Sequence, residues 1–318
     1  MSPPPAGRAA PLSSDPASGR AAPLPSEPPS GRALLSVCII ACNEEENLPR
    51  CLASVGFADE VVVVIDPRSS DASEAQAREA GARTILHPYE GNVEQKNFAL
   101  GEAKHDWVLA LDADEALSPG LAASVQRVLA ADGPADGYEL NRLTWHLGRW
   151  IRHGEFFPDW QMRLFRRSRG RVVGTNPHGR VAVDGRSARL DGELHHYSYR
   201  DLADQVARIQ EFSRIQAAAL YAAGRRATVF DLGLRPPLRF LRCWLLKQGV
   251  RDGLPGFVIA AATAFHVFLK YAKLWELGRT GGTSREAPTG KSRRHVPGEG
   301  PPAPAQPVPG EGSPARRP

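Results

Sequence analysis

"LLSVCIIACNEEENLPRCLASV", residues 34–55, opens with an apolar run of strand length, LLSVCIIA, and then changes period. Leu48, Leu52 and Val55 recur at helical spacing, so the stretch predicts a strand passing into a helix. The pattern repeats downstream. "EVVVVID" (60–66) is a second β-branched run, and "SSDASEAQAREAGA" (69–82) follows with the acidic first turn and closing Gly81 of a helix. "RTILH" (83–87) precedes a third helical stretch, "NVEQKNFALGEA" (92–103), and "WVLAL" (107–111) is a fourth strand. Strands that are apolar on both faces and alternate with helices predict an open, Rossmann-like α/β sheet, rich in parallel pairs, with helices on both faces.

In such sheets ligands bind beyond the carboxyl ends of the strands. Asn43 and Glu44 follow the first strand, Asp66 ends the second, and Asp112 and Asp114 end the fourth within "VLALDADE" (108–115). Asp71 and Ser73 read as helix caps or turn formers. Asp112 and Asp114 are different: residues two apart on an extended chain point to the same side, and two carboxylates side by side repel unless a cation lies between them. Hard divalent ions such as Mg²⁺ take one or two protein carboxylates and leave further positions to substrate phosphates.

Composition bounds the rest. Of 318 residues 42% are hydrophobic, enough for a core of domain size. The ends differ: "GRAAPLSSDPAS" (7–18) returns as "GRAAPLPSEPPS" (19–30), and the chain after residue 280 is again rich in Gly, Pro and Arg. Such segments bury too little apolar surface to offset their ordering entropy. The expected division is a low-complexity tail over 1–33, a catalytic α/β domain over 34–200, a helical region over 201–279 and a second tail over 280–318. The first 30 residues hold no apolar run of signal-peptide type. The four cysteines lack CxxC spacing and are expected as reduced thiols. A net charge of +5 is modest, and no nucleic-acid partner is expected.

Residues 201–224 read as an amphipathic helix, with Asp201 as cap, Leu202, Val206, Ile209 and Leu220 as its apolar positions and Gly224 as stop. Beyond it, Arg235, Arg239, Arg242, Lys247 and Arg251 interleave with Phe240, Leu241, Trp244 and Leu245. That is the composition of a helix lying in an anionic membrane surface, or of a helical pair packed on the catalytic domain. The uncharged run Leu254 to Leu269 is interrupted by Pro255 and Gly256, so no membrane-spanning helix is expected there.

Taken together, "SVCIIACNEEENLPRCLASV", "VVVVIDPRSSDAS", "QKNFAL" and "LALDADE" resemble the nucleotide-sugar-binding half of family 2 glycosyltransferases, with their GT-A fold and DxD motif. "FFPDWQMRLFRR" (156–167), "NPHGRV" (176–181) and "LHHYSYRDL" (194–202) extend the likeness to lipopolysaccharide core glycosyltransferases of the WaaE/KdtX type, over residues 35–277. The resemblance implies an inverting, metal-dependent transfer of a hexose from a nucleoside-diphosphate sugar, such as UDP-glucose, to a glycolipid. It implies a peripheral or monotopic seat on the cytoplasmic face of the inner membrane, held by residues 235–275.

The resemblance also assigns roles. Asn43, Glu44 and Asp66 would contact the nucleoside, and Lys96 and Asn97 the base and diphosphate. Asp112 would reach the ribose or the metal shell, and Asp114 would ligate Mg²⁺ or Mn²⁺ directly. Arg163 is read as a diphosphate contact or a surface ion pair. His178, His195 and His196 are read as structural, or as completing the metal shell, with His196 the metal candidate. Inversion needs a base to deprotonate the acceptor. Relatives often carry an acidic residue after the "PH" histidine, where this chain has Gly179. Asp159, between aromatic residues expected to desolvate it, becomes the candidate, or else a turn residue after Pro158; His178 and Glu115 are the alternatives. Two other readings remain: a sugar-1-phosphate nucleotidyltransferase, disfavoured by the acidic, glycine-free loop "ACNEEEN", and a catalytically silent membrane-associated module.

Overall fold

The structure is a computed structural model that describes residues 31–281 apart from 175, 177 and 178. Strands β1 (Leu35–Ala41), β2 (Glu60–Ile65), β3 (Arg83–Leu86) and β4 (Trp107–Asp112) lie in the order β3-β2-β1-β4, all parallel. Helices α1 (Leu48–Ser54), α2 (Ser73–Glu79) and α3 (Asn92–Gly101) connect them. Alternation along the strands splits the core in two. Val61, Val63 and Ile65 join Leu48 and Leu52 on one face, while Val62, Val64 and Ala110 join Ala99 and Leu100 of α3 on the other.

Past β4 the sheet turns back on itself. A short strand β5 (Glu115–Leu117) leads into α4 (Pro119–Ala130), whose N-cap Ser118 accepts from Leu121 N with Pro119 in the first turn. Strands β6 (Gly137–His146), β7 (Arg149–Ile151) and β8 (Trp160–Arg166) follow, then a two-stranded sheet of β9 (Gly170–Val173) and β10 (Arg180–Val183), and finally β11 (Ser187–His196). The large sheet continues as β4-β8-β6-β11-β5, with β8 antiparallel to both neighbours and β7 paired to β6. Because β5 pairs with β11, His196 is set opposite Glu115, a few residues from the end of β4.

Four helices complete the chain: α5 (Leu202–Ala222), α6 (Val229–Gly233), α7 (Arg235–Leu241) and α8 (Gly253–Arg279), with a π-turn at Arg242–Leu246 and a 3₁₀ turn at Gly249–Asp252 between the last two. Asp201 caps α5 as expected, accepting from Asp204 N at 2.8 Å. The stripe that α5 buries is Gln205, Ile209, Ser213 and Ala217, whereas Leu202 and Val206 are exposed. The reason is its partners: Gln205 meets His146 at 3.1 Å and Ser213 meets Lys273 of α8 at 2.7 Å, so polar and small residues are satisfied inward.

The expected break at Pro255 and Gly256 is absent. Both residues fall in the first turn of α8, where proline costs no hydrogen bond, and the helix is 27 residues long in all. At 1.5 Å per residue that is about 40 Å, and the run Gly249–Arg279 is long and apolar enough to cross a membrane. It is not free along its length, however. Gly256 and Ile259 are buried at one end, and Tyr271 and Leu274 pack on Ala217 at the other. Leu238, Leu241, Leu245, Leu246, Leu254 and Phe257 stay exposed around the α7–α8 corner.

Candidate active site

The carboxyl ends of β1, β2 and β4 do carry the polar residues, and the structure shows what each one touches. Strand β4 pairs with β1 as far as Asp112, opposite Ile40. Ala113 and Asp114 then form a turn before β5. The two carboxylates of the DAD triplet are therefore not side by side on one extended strand, and their partners differ. Asp112 meets Lys96 Nζ at 2.6 Å and Arg163 Nη2 at 2.9 Å. Burial alone would raise its carboxyl, but these two cations hold it well below the usual carboxylate range. Where a metal ligand was expected, both Asp112 oxygens are engaged by protein cations in this structure.

Asp114 sits by His196, with Oδ2 and Nε2 3.6 Å apart. Burial pushes its carboxyl up, the His196 ring beside it is the largest pull downward, and on balance it too lies low. The His196 ring is oriented from behind, Nδ1 lying 3.4 Å from Thr144 Oγ1, which presents Nε2 to Asp114. The turn is fixed to β11 by Tyr197 N donating to the Asp114 carbonyl at 2.9 Å. His195, the next residue along the strand, faces the other way and stacks on Trp150 at 4.2 Å; burial lowers its pKa. A divalent ion can be tested against this geometry. Among the described residues no cluster of three His, Cys, Asp or Glu side chains surrounds one point. Asp114 and His196 supply one oxygen and one nitrogen, both side chains less than a fifth exposed. That donor pair fits an ion that takes its remaining ligands from water and phosphate.

Glu115 is fully buried. It accepts from Asp112 N at 3.1 Å and from Arg163 Nη2 at 2.7 Å, and lies 3.4 Å from Arg142 Nη1. Buried and bonded in this way, it is placed to position the turn and Arg163. Arg163 is likewise inside the wall, its side chain 7% exposed, and both the diphosphate contact and the surface ion pair give way to a buried bridge between Glu115 and Asp112. Those carboxylates keep its guanidinium charged despite burial.

Asp159 is engaged by two polar side chains. Arg142 donates to its Oδ2 through Nε at 2.8 Å and Nη2 at 2.7 Å, and Gln161 Nε2 donates to Oδ1 at 2.6 Å. Asn97 is also reassigned. Its amide donates to Val172 O and accepts from Val172 N, both at 2.9 Å, acting as one more strand residue against β9 rather than as a base contact. Asp66 accepts from the backbone N and the guanidinium of Arg68, which hold its carboxyl low. Asn43, at φ 55°, accepts from Ser70 N at 2.8 Å and so fastens the loops after β1 and β2 together. Glu44 accepts from Asn47 at 3.0 Å at the entrance to α1. His178 lies outside the described residues.

Sequence reasoning missed Arg142. Arg142, in "NRLTWH", joins Glu115 to Asp159, and only tertiary pairing of β6 with β8 brings those together.

The glycosyl transferase family 2 profile matches residues 36–183, the segment that contains β1 to β10. The lipopolysaccharide core biosynthesis glycosyltransferase LpsC of Rhizobium meliloti (strain 1021) is 30% identical over 250 residues, covering 76% of this chain and 92% of that protein. An uncharacterized glycosyltransferase of Rickettsia typhi is 30% identical over 255 residues, covering 76% and 87%. Among solved structures, the mannosyltransferase PcManGT from Pyrobaculum calidifontis in complex with GDP-Man and Mn²⁺ is similar at 16% identity and a TM-score of 0.46, over 80% of this chain and 90% of that one. The match to LpsC spans nearly all of that enzyme and includes residues beyond the family profile, so the chain belongs to glycosyltransferase family 2 and is a glycosyltransferase.

Proposed function

We propose that the protein is an inverting, divalent-metal-dependent hexosyltransferase that uses a nucleoside-diphosphate sugar, with UDP-glucose the first donor to test, and a lipopolysaccharide core or other membrane glycolipid as acceptor. The observation that carries this reading is the Asp114–His196 pair, two donors poised at the turn beyond β4. A bound Mg²⁺ or Mn²⁺ would act there as a Lewis acid toward the diphosphate. Asp112, locked between Lys96 and Arg163, sets the shape and field of the strand end. Glu44 and Asp66 take the nucleoside, once the exposed Arg68 side chain swings off Asp66.

The acceptor oxygen attacks the anomeric carbon on the side opposite the diphosphate, whose bond to that carbon breaks with the electron pair. The acceptor proton passes to Asp159. Arg142 aims Asp159 through two hydrogen bonds to its Oδ2. Likeness to LpsC supports a glycolipid acceptor. The exposed leucines at the α7–α8 corner, next to Arg239, Arg242 and Lys247, which share the single carboxylate of Glu155 and so keep an excess of positive charge, support a seat in the cytoplasmic membrane surface. The packing of α8 at both ends, on the α7–α8 corner and on α5, supports the surface seat.

The test is a thermal-stabilisation screen of UDP- and GDP-sugars with Mn²⁺ and with chelator, followed by transfer assays with the best binder. A donor that binds the folded state raises Tm. Stabilisation by a sugar nucleotide that is unchanged by chelator would overturn the metal dependence.

A further inference from the structure

Segment 152–159 joins β7 to β8 and ends in Asp159, and its first half is held by the helical region. Arg152 N and His153 N donate to Asp252 Oδ2 at 3.1 and 2.8 Å, and Gly154 N donates to Lys247 O at 2.8 Å. The approach is close: a Cβ at Gly154 would lie 3.3 Å from Cys243 Sγ. Glu155 then meets three cations of the α7–α8 corner. Arg239 Nη2 lies 3.1 Å and Lys247 Nζ 3.2 Å from its Oε2, and Arg242 Nε lies 4.0 Å from Oε1. At the far end the segment is tied to β6, Arg142 N donating to the Asp159 carbonyl at 2.8 Å. Glu155 and Asp159, four positions apart, are separated by at most about 14 Å.

The charges around Glu155 do not balance. Three cations share one carboxylate, and among the described residues none of the three pairs with another. Their side chains are 33–54% exposed, that of Glu155 only 13%. Arg239 Nε and Glu155 Oε1 are buried without a hydrogen-bond partner. Like charges gathered on one carboxylate repel one another, and a second anion relieves that repulsion while taking up N–H groups that Glu155 leaves open. Leu238, Leu241, Leu245 and Leu246 are exposed in the same stretch of chain. Apolar side chains interleaved with uncompensated cations match a phosphate at an apolar boundary, which is where a lipid headgroup holds it.

We propose that this corner is a two-anion site, in which Glu155 fills one place and the phosphate of an anionic membrane lipid fills the other. A ligand that binds only the assembled corner stabilises it. Lipid therefore tightens the corner on Glu155 and steadies segment 152–159, which carries Asp159 at its end. This rests on the membrane seat proposed above. It adds the lipid group that is recognised and a route from the bilayer to the acceptor side of the site.

The experiment follows the full chain on vesicles of phosphatidylcholine, alone or mixed with phosphatidylglycerol, by sedimentation and by deuterium uptake over residues 152–155. The corner variant combines Arg239→Gln with Lys247→Gln. A control combines Arg171→Gln with Arg186→Gln, which removes the same charge from exposed positions on and beside β9. Unliganded Tm checks the fold of each. The corner variant should bind mixed vesicles about tenfold or more weakly, and the control less than about threefold. Phosphatidylglycerol should slow wild-type uptake over 152–155 at least about threefold, and inorganic phosphate should not. Should the corner variant fail to fold, Glu155→Gln serves: it should bind mixed vesicles at least as tightly as wild type, with uptake that no longer responds to lipid. Equal losses in the corner and control variants, faster uptake on mixed vesicles, or slowing by inorganic phosphate would overturn the proposal. Equal wild-type binding to both vesicles would leave the membrane seat standing and sink the lipid site; binding to neither would sink both.

Discussion

Arg163 Nη2 donates to Asp112 at 2.9 Å and to Glu115 at 2.7 Å, so one buried guanidinium joins the last residue of β4 to the first of β5. The turn that carries Asp114 is closed at its base by this bridge. It follows that Glu115 should matter for stability before it matters for chemistry. Glu115→Ala leaves Arg163 buried without its nearest carboxylate, and breaking a buried pair in this way costs about 3–5 kcal/mol. Urea unfolding checks it, and a loss below about 1 kcal/mol would show that the bridge is not structural.

Asp114→Asn should lower transfer at least about a hundredfold and abolish metal-dependent stabilisation by the donor, while unliganded Tm stays near wild type. His196→Ala should do the same to metal dependence with a smaller loss. Donor stabilisation compared with and without chelator is the measurement.

Asp159→Asn keeps the shape of the Arg142 partner and removes the proton acceptor. kcat should fall about a hundredfold or more with donor KM little changed, because the lost function belongs to the transition state. Normal turnover would leave Asp159 with the task of positioning Arg142.

The pH dependence follows from Asp112. Its carboxyl is lower in the folded protein than the ordinary value of 3.8, so its pairing stabilises fully above that pH and is lost as pH falls below it. Lys96→Met removes the nearest of the cations that depress it. The acid-unfolding midpoint of that variant, followed by circular dichroism, should move to higher pH, with stability at neutral pH also reduced.

Leu238→Ser, Leu241→Ser and Leu245→Ser combined should cut binding to anionic vesicles about tenfold or more, as the apolar surface at the corner is lost. Raising salt should weaken wild-type binding, since part of it is electrostatic. Sedimentation with vesicles reads both.

The alternation of β1 to β4 with α1 to α3 was legible because apolar periodicity is a local property; β4 merely runs one residue further, to Asp112, where its backbone still pairs with Ile40. The gathering of polar residues beyond β1, β2 and β4 was legible for a topological reason, strand ends being where such sheets bind ligands. What each carboxylate touches was not. Arg163 and Arg142 reach Glu115 across β8 and β6, and a sequence does not show which strands will be neighbours. Asn97 completes β9 because its amide has the same donor and acceptor as a peptide, and α5 packs through Gln205 and Ser213 because polar partners wait opposite. In both cases side-chain polarity, read alone, pointed outward.

The bond from Tyr197 N to the Asp114 carbonyl, with His196 beside the Asp114 carboxylate, spans a cut that the family profile makes at residue 183. A fragment trimmed to that profile would keep β1 to β4 and the DAD turn but lose β11, the strand that β5 pairs with and that holds the turn in place. The unit that can be exchanged between such enzymes is therefore larger than the segment by which the family is detected. A chimera that swaps donor preference has to carry β11 along with the strands that bear the acidic residues.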